Sequence, residues 1–247
     1  LDLDGVLYIG DQIIRGAPEV VAALREKGYA IAGITNTTTQ PRRAIAEKLQ
    51  DMDIQISEEE IFTPAALAVQ VIGKTGAALF VRESLKEDFR GVSETDTAPD
   101  YVVMGDVGGE GYSPEVLKQV FGMIMDGAKL LALHKNRFWQ KPDGLHLDLG
   151  PFVAAIEYAT GQQATVLGKP SQDFFLGICT KLDVTPENCL MVGDDIESDI
   201  GGAQNAGLKT ALVQTGKYRE EFVRQTGIKA DLVLPSIADL PDALHLL

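Results

Sequence analysis

The chain has 247 residues, enough for one large or two modest domains, and its 45% hydrophobic composition is that of an ordinary globular protein, which excludes disordered and fibrous classes. Thirty-six acidic against twenty-two basic residues give a net charge of −14, which opposes sequence-independent attachment to nucleic acid or to an anionic membrane. No apolar run approaches the roughly eighteen residues of a membrane span, and Cys179 and Cys189, in apolar stretches without metal-ligand spacing, read as reduced thiols of a cytoplasmic protein.

The first element is Leu1-Asp2-Leu3-Asp4-Gly5-Val6-Leu7. Positions i and i+2 of a strand face one side, so the Asp2 and Asp4 carboxylates converge where the strand ends at Gly5. A hydrated Mg2+, which takes one or two carboxylates together with phosphate oxygens, would offset their repulsion. A solvated turn is the bland alternative, and the tripeptide alone does not separate the two. A buried strand of about five apolar residues is expected ahead of Asp2.

Ala17-Pro18 then opens a helix through Val20, Val21 and Leu24 that stops at Gly28. Tyr29–Ile34 reads as a strand ending at Thr35-Asn36, and Pro41 starts a helix through Leu49. Strand-like runs Ala77–Val81, Tyr101–Met104, Leu130–Leu133 and Leu145–Leu149 alternate with helix-like Ala65–Ile72, Pro114–Met125 and Pro151–Ala159. The chain closes with a strand at Ala164–Leu167, a helix near Asp173–Leu182, a strand Cys189–Val192, a helix Ile200–Asn205, and strands at Thr210–Val213 and Asp231–Leu234. This alternation predicts an α/β fold with a doubly wound parallel sheet. From Asn36 to Gly168 there are more than 130 residues, whereas one strand-helix step uses roughly thirty. The surplus predicts an inserted α/β cap domain over 64–165, with the core built from 1–63 and 166–247.

Ligands of such sheets bind beyond the C-terminal strand ends, and the chemistry-bearing residues fall there. Asp194, Asp195, Glu197 and Asp199 put four acids in six residues after Cys189–Val192. Capping a helix N-terminus needs fewer, so Asp194 and Asp199 are candidate partners of Asp2 and Asp4 around a metal. Lys169 follows Ala164–Leu167, and a lysine at a buried strand end needs an anion or acids to match it; a solvated turn lysine is the alternative. The Thr35 hydroxyl and a backbone N–H at Asn36 are placed to hold a phosphate oxygen, although both residues are also ordinary turn formers. In the insert, His134, Lys135, Asn136 and Arg137, with Trp139 and Lys141, gather basic and aromatic groups in an acidic chain. They are candidate specificity residues for an anionic substrate, against the alternative of a hairpin with solvated charges.

The order acid pair, hydroxyl, lysine, acid cluster resembles the haloacid dehalogenase (HAD) superfamily of aspartate-nucleophile phosphohydrolases. An insert between the second and third motifs resembles its subfamily IIA of nucleotide, 4-nitrophenyl and pyridoxal phosphatases. Thr35-Asn36-Thr37-Thr38, Leu147–Phe152, Val192–Ile196, Gly201–Gln204 and Thr215–Arg219 strengthen that likeness. The resemblance implies a Rossmann-like HAD core and a Mg2+-dependent phosphatase acting on a small phosphomonoester, phosphoamide or pyrophosphate. It implies Asp2 as nucleophile, Asp4 as general acid and base, and Mg2+ held by Asp2, the Asp4 carbonyl and Asp194. Thr35, Asn36 and Lys169 would bind the phosphoryl group, and Asp199 would orient Lys169 or a metal-bound water. It further implies a homodimer through the insert. A phosphotransferase using the same aspartyl-phosphate, and a phospho-aspartate switch without turnover, are the competing readings.

Overall fold

The computed structural model describes residues 1–108, 111–141 and 144–246, the side chains of 139–141 and 145 excepted. They separate into two compact units, one of residues 1–35, 42–62 and 169–247, the other of 36–41 and 63–168.

The first unit is built on a parallel sheet. Ile61–Phe62 pairs with Gly33–Ile34, and Leu190–Gly193 with Lys209–Val213, which in turn pairs with Leu232–Leu234. Leu1–Leu3 joins the two sets. Asp2 forms a parallel bridge with Ile34, its N–H donates to the Val192 carbonyl at 2.9 Å, and the Ile34 N–H donates to the Leu1 carbonyl at 2.8 Å. Helix Ala17–Glu26 starts with Pro18 in its first turn and ends before Gly28, whose φ of 82° no side-chain-bearing residue adopts readily. Its Val20, Val21 and Leu24 pack with Leu3, Leu7, Ile45, Leu49, Ile61, Val192 and Val213 into one core. Burial of each large aliphatic side chain there contributes about 1.5–3 kcal/mol. That packing holds short strands whose own ladders are few.

The second unit contains a five-stranded parallel sheet in the order Thr165–Val166, Lys129–Ala132, Tyr101–Met104, Gly76–Phe80, Ser93–Glu94. Successive side chains of a strand point to opposite faces. Val102 and Met104 accordingly pack with Ile124, Leu130 and Val153 on one side, while Val103 packs with Ala65, Leu85 and Leu131 on the other. Both faces are covered, as an all-parallel sheet requires. Phe138–Lys141 and Gly144–Leu147 form a separate antiparallel hairpin.

Several sequence expectations are corrected. Only Gly33–Ile34 of the expected strand Tyr29–Ile34 is strand. The strand expected through Leu149 stops at Leu147, because Asp148 accepts the Leu149 N–H at 2.8 Å and caps helix Leu149–Thr160. The helix expected from Ile200 begins at Gly202, preceded by a π-helical stretch Ile196–Gly201. The strand before Lys169 does not belong to the sheet that carries Asp2: Thr165–Val166 pairs with Lys129–Ala132 in the second unit. An apolar run reads the same whichever sheet receives it. Among the described residues no helix is long and apolar enough to cross a membrane.

Candidate active site

Asp2, Thr35 and Asp194 lie at the C-terminal ends of three adjacent strand segments of the first unit, and all three are buried. Lys169 comes from the loop ahead of helix Gln172–Leu182 rather than from a strand end of that sheet. Its Nζ lies 2.7 Å from Asp2 Oδ1 and 2.6 Å from Asp199 Oδ1, and the side chains are 4%, 8% and 1% exposed respectively. Burial by itself would depress the lysine, but the Asp199 and Asp2 carboxylates in contact hold it above the usual lysine range. Lys169 is therefore a fixed cation.

Asp194 is held in an asymmetric way. Its Oδ2 accepts the Lys217 N–H at 2.6 Å, whereas its Oδ1 is buried with no hydrogen-bond partner among the described residues. Two glycines admit it. Gly5, at φ 96°, and Gly216, at φ 53°, stand where an added Cβ would collide with the Asp194 carboxylate. The Thr215 hydroxyl donates to the Gly5 carbonyl and joins the two loops. Asp199 Oδ2 accepts the N–H groups of Asp194 and Asp195, each at 3.2 Å, and orders the turn after the strand. Asp195 caps the π-helical stretch, its Oδ1 accepting from Glu197 and Ser198 at 3.1 and 3.0 Å. The acid cluster thus divides its labour, one member serving as the cap and two reaching the buried site.

Asp2, Asp194 and Asp199 each bring a carboxylate oxygen to within 4.8 Å of the others. Against the single charge of Lys169, three carboxylates leave a net −2. Burial, then the Asp2 charge, push Asp194 up to about 7; burial, opposed by Lys169, pushes Asp199 up to about 6. A hard divalent cation cancels this excess and supplies the partner that Asp194 Oδ1 lacks. The residues present fit Mg2+.

Asp4 is exposed, bridged to Tyr8 through the backbone. Partial burial, and then Asp2, raise its carboxyl above the ordinary range, while the Gly10 N–H bonded to it opposes the shift. Thr35 ends Gly33–Ile34, its N–H donating to the Phe62 carbonyl at 3.1 Å. Asn36, adjacent in sequence, clusters with the second unit, where a Cβ on Gly168 would meet its Oδ1.

The basic group of the insert is dispersed. His134 is buried, with Nε2 3.4 Å from Thr38 Oγ1 and Nδ1 3.4 Å from the Asn136 N–H. Burial lowers its pKa, against Asp148 and Asp106. Lys135 pairs with Glu157 at 2.6 Å. Asn136 and Arg137 are exposed, and the Arg137 guanidinium lies 5.9 Å from the Phe138 ring centre. The side chains of Trp139 and Lys141 lie outside the described residues. Residues that sequence reasoning left out of the site are Thr215, Gly216 and Lys217. Their signal was a Thr-Gly-Lys run right after the apolar strand Lys209–Val213.

The haloacid dehalogenase-like hydrolase family matches residues 1–92, and a HAD-hydrolase-like family matches residues 166–240. Haloacid dehalogenase-like hydrolase domain-containing protein 2 of Bos taurus is 41% identical over 221 residues, 89% of this chain and 84% of that protein. The chain belongs to the haloacid dehalogenase-like hydrolases. Phospholysine phosphohistidine inorganic pyrophosphate phosphatase of Homo sapiens is 34% identical over 99% of this chain and 92% of its own length. The 4-nitrophenylphosphatase of Thermotoga maritima superposes with a TM-score of 0.90 at 27% identity, covering 98% of this chain and 95% of that one. The HAD fold and the subfamily IIA likeness read from the motifs are borne out, and this HAD chain is a hydrolase.

Proposed function

We propose that this HAD hydrolase is a Mg2+-dependent phosphatase that cleaves small phosphomonoesters, phosphoamides or pyrophosphate through an aspartyl-phosphate on Asp2. The observation that carries the reading is the Lys169 ammonium fixed against Asp2 beside a buried, half-satisfied Asp194. A carboxylate attacking a phosphate dianion meets charge repulsion, and a cation held in place reduces it without reorganisation. The curated relative named for phospholysine, phosphohistidine and pyrophosphate, and the neighbour named for 4-nitrophenyl phosphate, support phosphoryl transfer to water as the reaction class.

In this reading an Asp2 oxygen attacks phosphorus and divides hydrolysis into two displacements. Asp4, exposed and less acidic than an ordinary aspartate, protonates the departing oxygen and then takes a proton from the attacking water. Lys169, the Thr35 hydroxyl and the Asn36 N–H bind phosphoryl oxygens. Asp2, the Asp4 carbonyl and Asp194 would hold Mg2+, which when bound neutralises charge on the phosphoryl oxygens. Asp199, 2.6 Å from Lys169, keeps that ammonium in register.

The test is release of inorganic phosphate from 4-nitrophenyl phosphate, pyrophosphate and a phosphoryl-amine, with Mg2+ and with a chelator. Release is expected only with Mg2+ and not from Asp2→Asn. Persistent release from that variant would refute Asp2 as nucleophile.

A further inference from the structure

The chain leaves Asp4 on a small hairpin. Tyr8–Ile9 pairs with Gln12–Ile13, and Asp4 is bridged to Tyr8 at the base. A two-stranded hairpin is marginal by itself in water. Ile9 and Ile13 are 49% and 45% exposed, so little apolar burial holds its tip. Among the described contacts, those that hold the tip from outside the hairpin come from one side chain of helix Arg42–Asp51. Lys48 Nζ donates to the Gly10 carbonyl at 2.7 Å, lies 4.5 Å from the centre of the Tyr8 ring, and stands 3.2 Å from Asp11 Oδ1.

These three contacts differ in weight. Asp11 is 98% exposed, and a pair with so solvated a partner is worth little. The Gly10 bond is charge-assisted and the Tyr8 ring is buried, so these two are the effective tethers. Asp4 is joined to the same hairpin by its backbone bridge to Tyr8, whose ring Lys48 covers. The Gly10 carbonyl at the tip is the second group that Lys48 holds. Gly10 sits at φ 57°, a turn conformation with no side chain to pin it.

We propose that Lys48 is a positioning residue that acts through Tyr8 and the hairpin tip at Gly10 on the orientation of Asp4, the acid that protonates the leaving group. The inference rests on the phosphatase reading above. Loss of the tether leaves the nucleophile and its cation intact, since neither Asp2 nor Lys169 touches Lys48 among the described contacts. The cost therefore falls on proton transfer, and it depends on how much proton the leaving group needs.

Lys48→Met keeps the aliphatic stem and removes the donors. A well-placed general acid contributes about 10²–10⁴ in rate, and a loosened one is expected to lose about tenfold of it. With Mg2+, kcat/KM, which reports the first displacement alone, should fall about tenfold on an alkyl phosphate such as glycerol phosphate. With 4-nitrophenyl phosphate, whose phenolate departs without a proton, kcat/KM should change by less than about twofold. Lys48→Arg, which keeps a cation for carbonyl and ring, should restore most of the loss. Hydrogen exchange of a peptide covering residues 5–14 should quicken in Lys48→Met independently of turnover. Circular dichroism checks the fold; were the Met variant unfolded, Lys48→Gln reads the same substrate ratio. Equal losses of kcat/KM on both substrates, no loss on either, or unchanged exchange would overturn the role of Lys48. A wild-type protein inactive on both phosphates, with exchange still quickened by the substitution, would overturn the phosphatase reading and leave the tether standing.

Discussion

Lys169 Nζ and Asp2 Oδ1 lie 2.7 Å apart although 167 residues separate them. With the side chains 4% and 8% exposed, the pair makes the integrity of the site and the stability of the first unit one property. Removing one member of a buried ion pair typically costs about 3–5 kcal/mol, because the other charge stays behind without a partner. Lys169→Met should lower Tm accordingly at pH 8 and lower kcat by a hundredfold or more, the scale at which one removed transition-state donor is felt (about 10²–10³). The stability loss should shrink below pH 6, where the stranded carboxylates can take up protons. Thermal melts at the two pH values and single-substrate kinetics check both parts.

The pH behaviour of the metal-free protein follows from Asp194 and Asp199. Their folded-state values, about 7 and about 6, lie above the ordinary 3.8. Between about pH 4 and 7 the folded state therefore binds these protons more tightly than the unfolded chain, so their contribution favours folding at low pH and is lost as pH rises through 6 to 7. Asp194→Asn removes a buried charge whose Oδ1 has no hydrogen-bond partner among the described residues. It should raise the Tm of chelator-treated protein at pH 8 and leave it nearly unchanged at pH 5. The same substitution should abolish stabilisation by Mg2+, which in wild type at a hundred times Kd amounts to about 2.7 kcal/mol and should be smaller at pH 6 than at pH 8 because protons compete. Wild type and variant melted with and without Mg2+ at three pH values give all of these comparisons.

How much of this was legible beforehand differs residue by residue. Thr35 and Asp194 could be read because each ends an apolar run, and Asp2 because it stands one residue from Asp4 in a strand-like segment; strand ends are where a parallel sheet presents ligand groups. Lys169 was found for the right electrostatic reason and attached to the wrong sheet, since Thr165–Val166 pairs with a strand of the other unit. The Thr-Gly-Lys run marks the loop at Thr215–Lys217 but not what Gly216 and Lys217 do in it. Their contributions are a missing Cβ and a backbone N–H, which side-chain chemistry does not announce. In the insert, residue type misled in a different way. His134 and Lys135 look available for an anion, but one is buried against Thr38 and the other is engaged by Glu157.

Gly216 gives a prediction that separates site geometry from backbone strain. Both Gly216 and Gly227 have positive φ, 53° and 71°, but a Cβ at Gly227 meets nothing within 4 Å while one at Gly216 meets the Asp194 carboxylate. Each substitution to alanine carries the left-handed strain of about 1–2 kcal/mol. Gly227→Ala should therefore lower Tm by a few degrees and leave kcat and its response to added Mg2+ alone. Gly216→Ala should lower Tm at least as much and in addition weaken Mg2+ stabilisation and kcat by about tenfold or more, since a displaced ligand costs metal affinity on that scale. Equal kinetics in the two variants would show that Asp194 tolerates displacement.

The divided fate of the basic residues in the insert yields a last comparison. Glu157 has a side chain only 9% exposed; its Oε2 takes Lys135 at 2.6 Å and its Oε1 accepts the Ala164 N–H at 3.0 Å. Lys135 thus balances a shielded carboxylate that ties helix Leu149–Thr160 to the segment leading into Thr165–Val166. Its replacement by methionine leaves that carboxylate unmatched and should destabilise by about 1–3 kcal/mol, the cost of stranding a buried polar partner. Because its charge is already neutralised, KM for phosphorylated substrates should change little. Arg137 is exposed and its guanidinium approaches only the Phe138 ring among the described contacts, an arrangement that leaves its charge available to an anion. Arg137→Ala should therefore leave Tm within about 0.5 kcal/mol equivalents of wild type. If the insert selects substrates through this segment, it should raise KM severalfold for a substrate with a second anionic group and hardly at all for 4-nitrophenyl phosphate. Paired melts and KM values on pyrophosphate and 4-nitrophenyl phosphate read the outcome. The opposite pattern, KM raised by the Lys135 substitution and unmoved by the Arg137 one, would assign substrate contact to Lys135 and require its pair with Glu157 to open in the working enzyme.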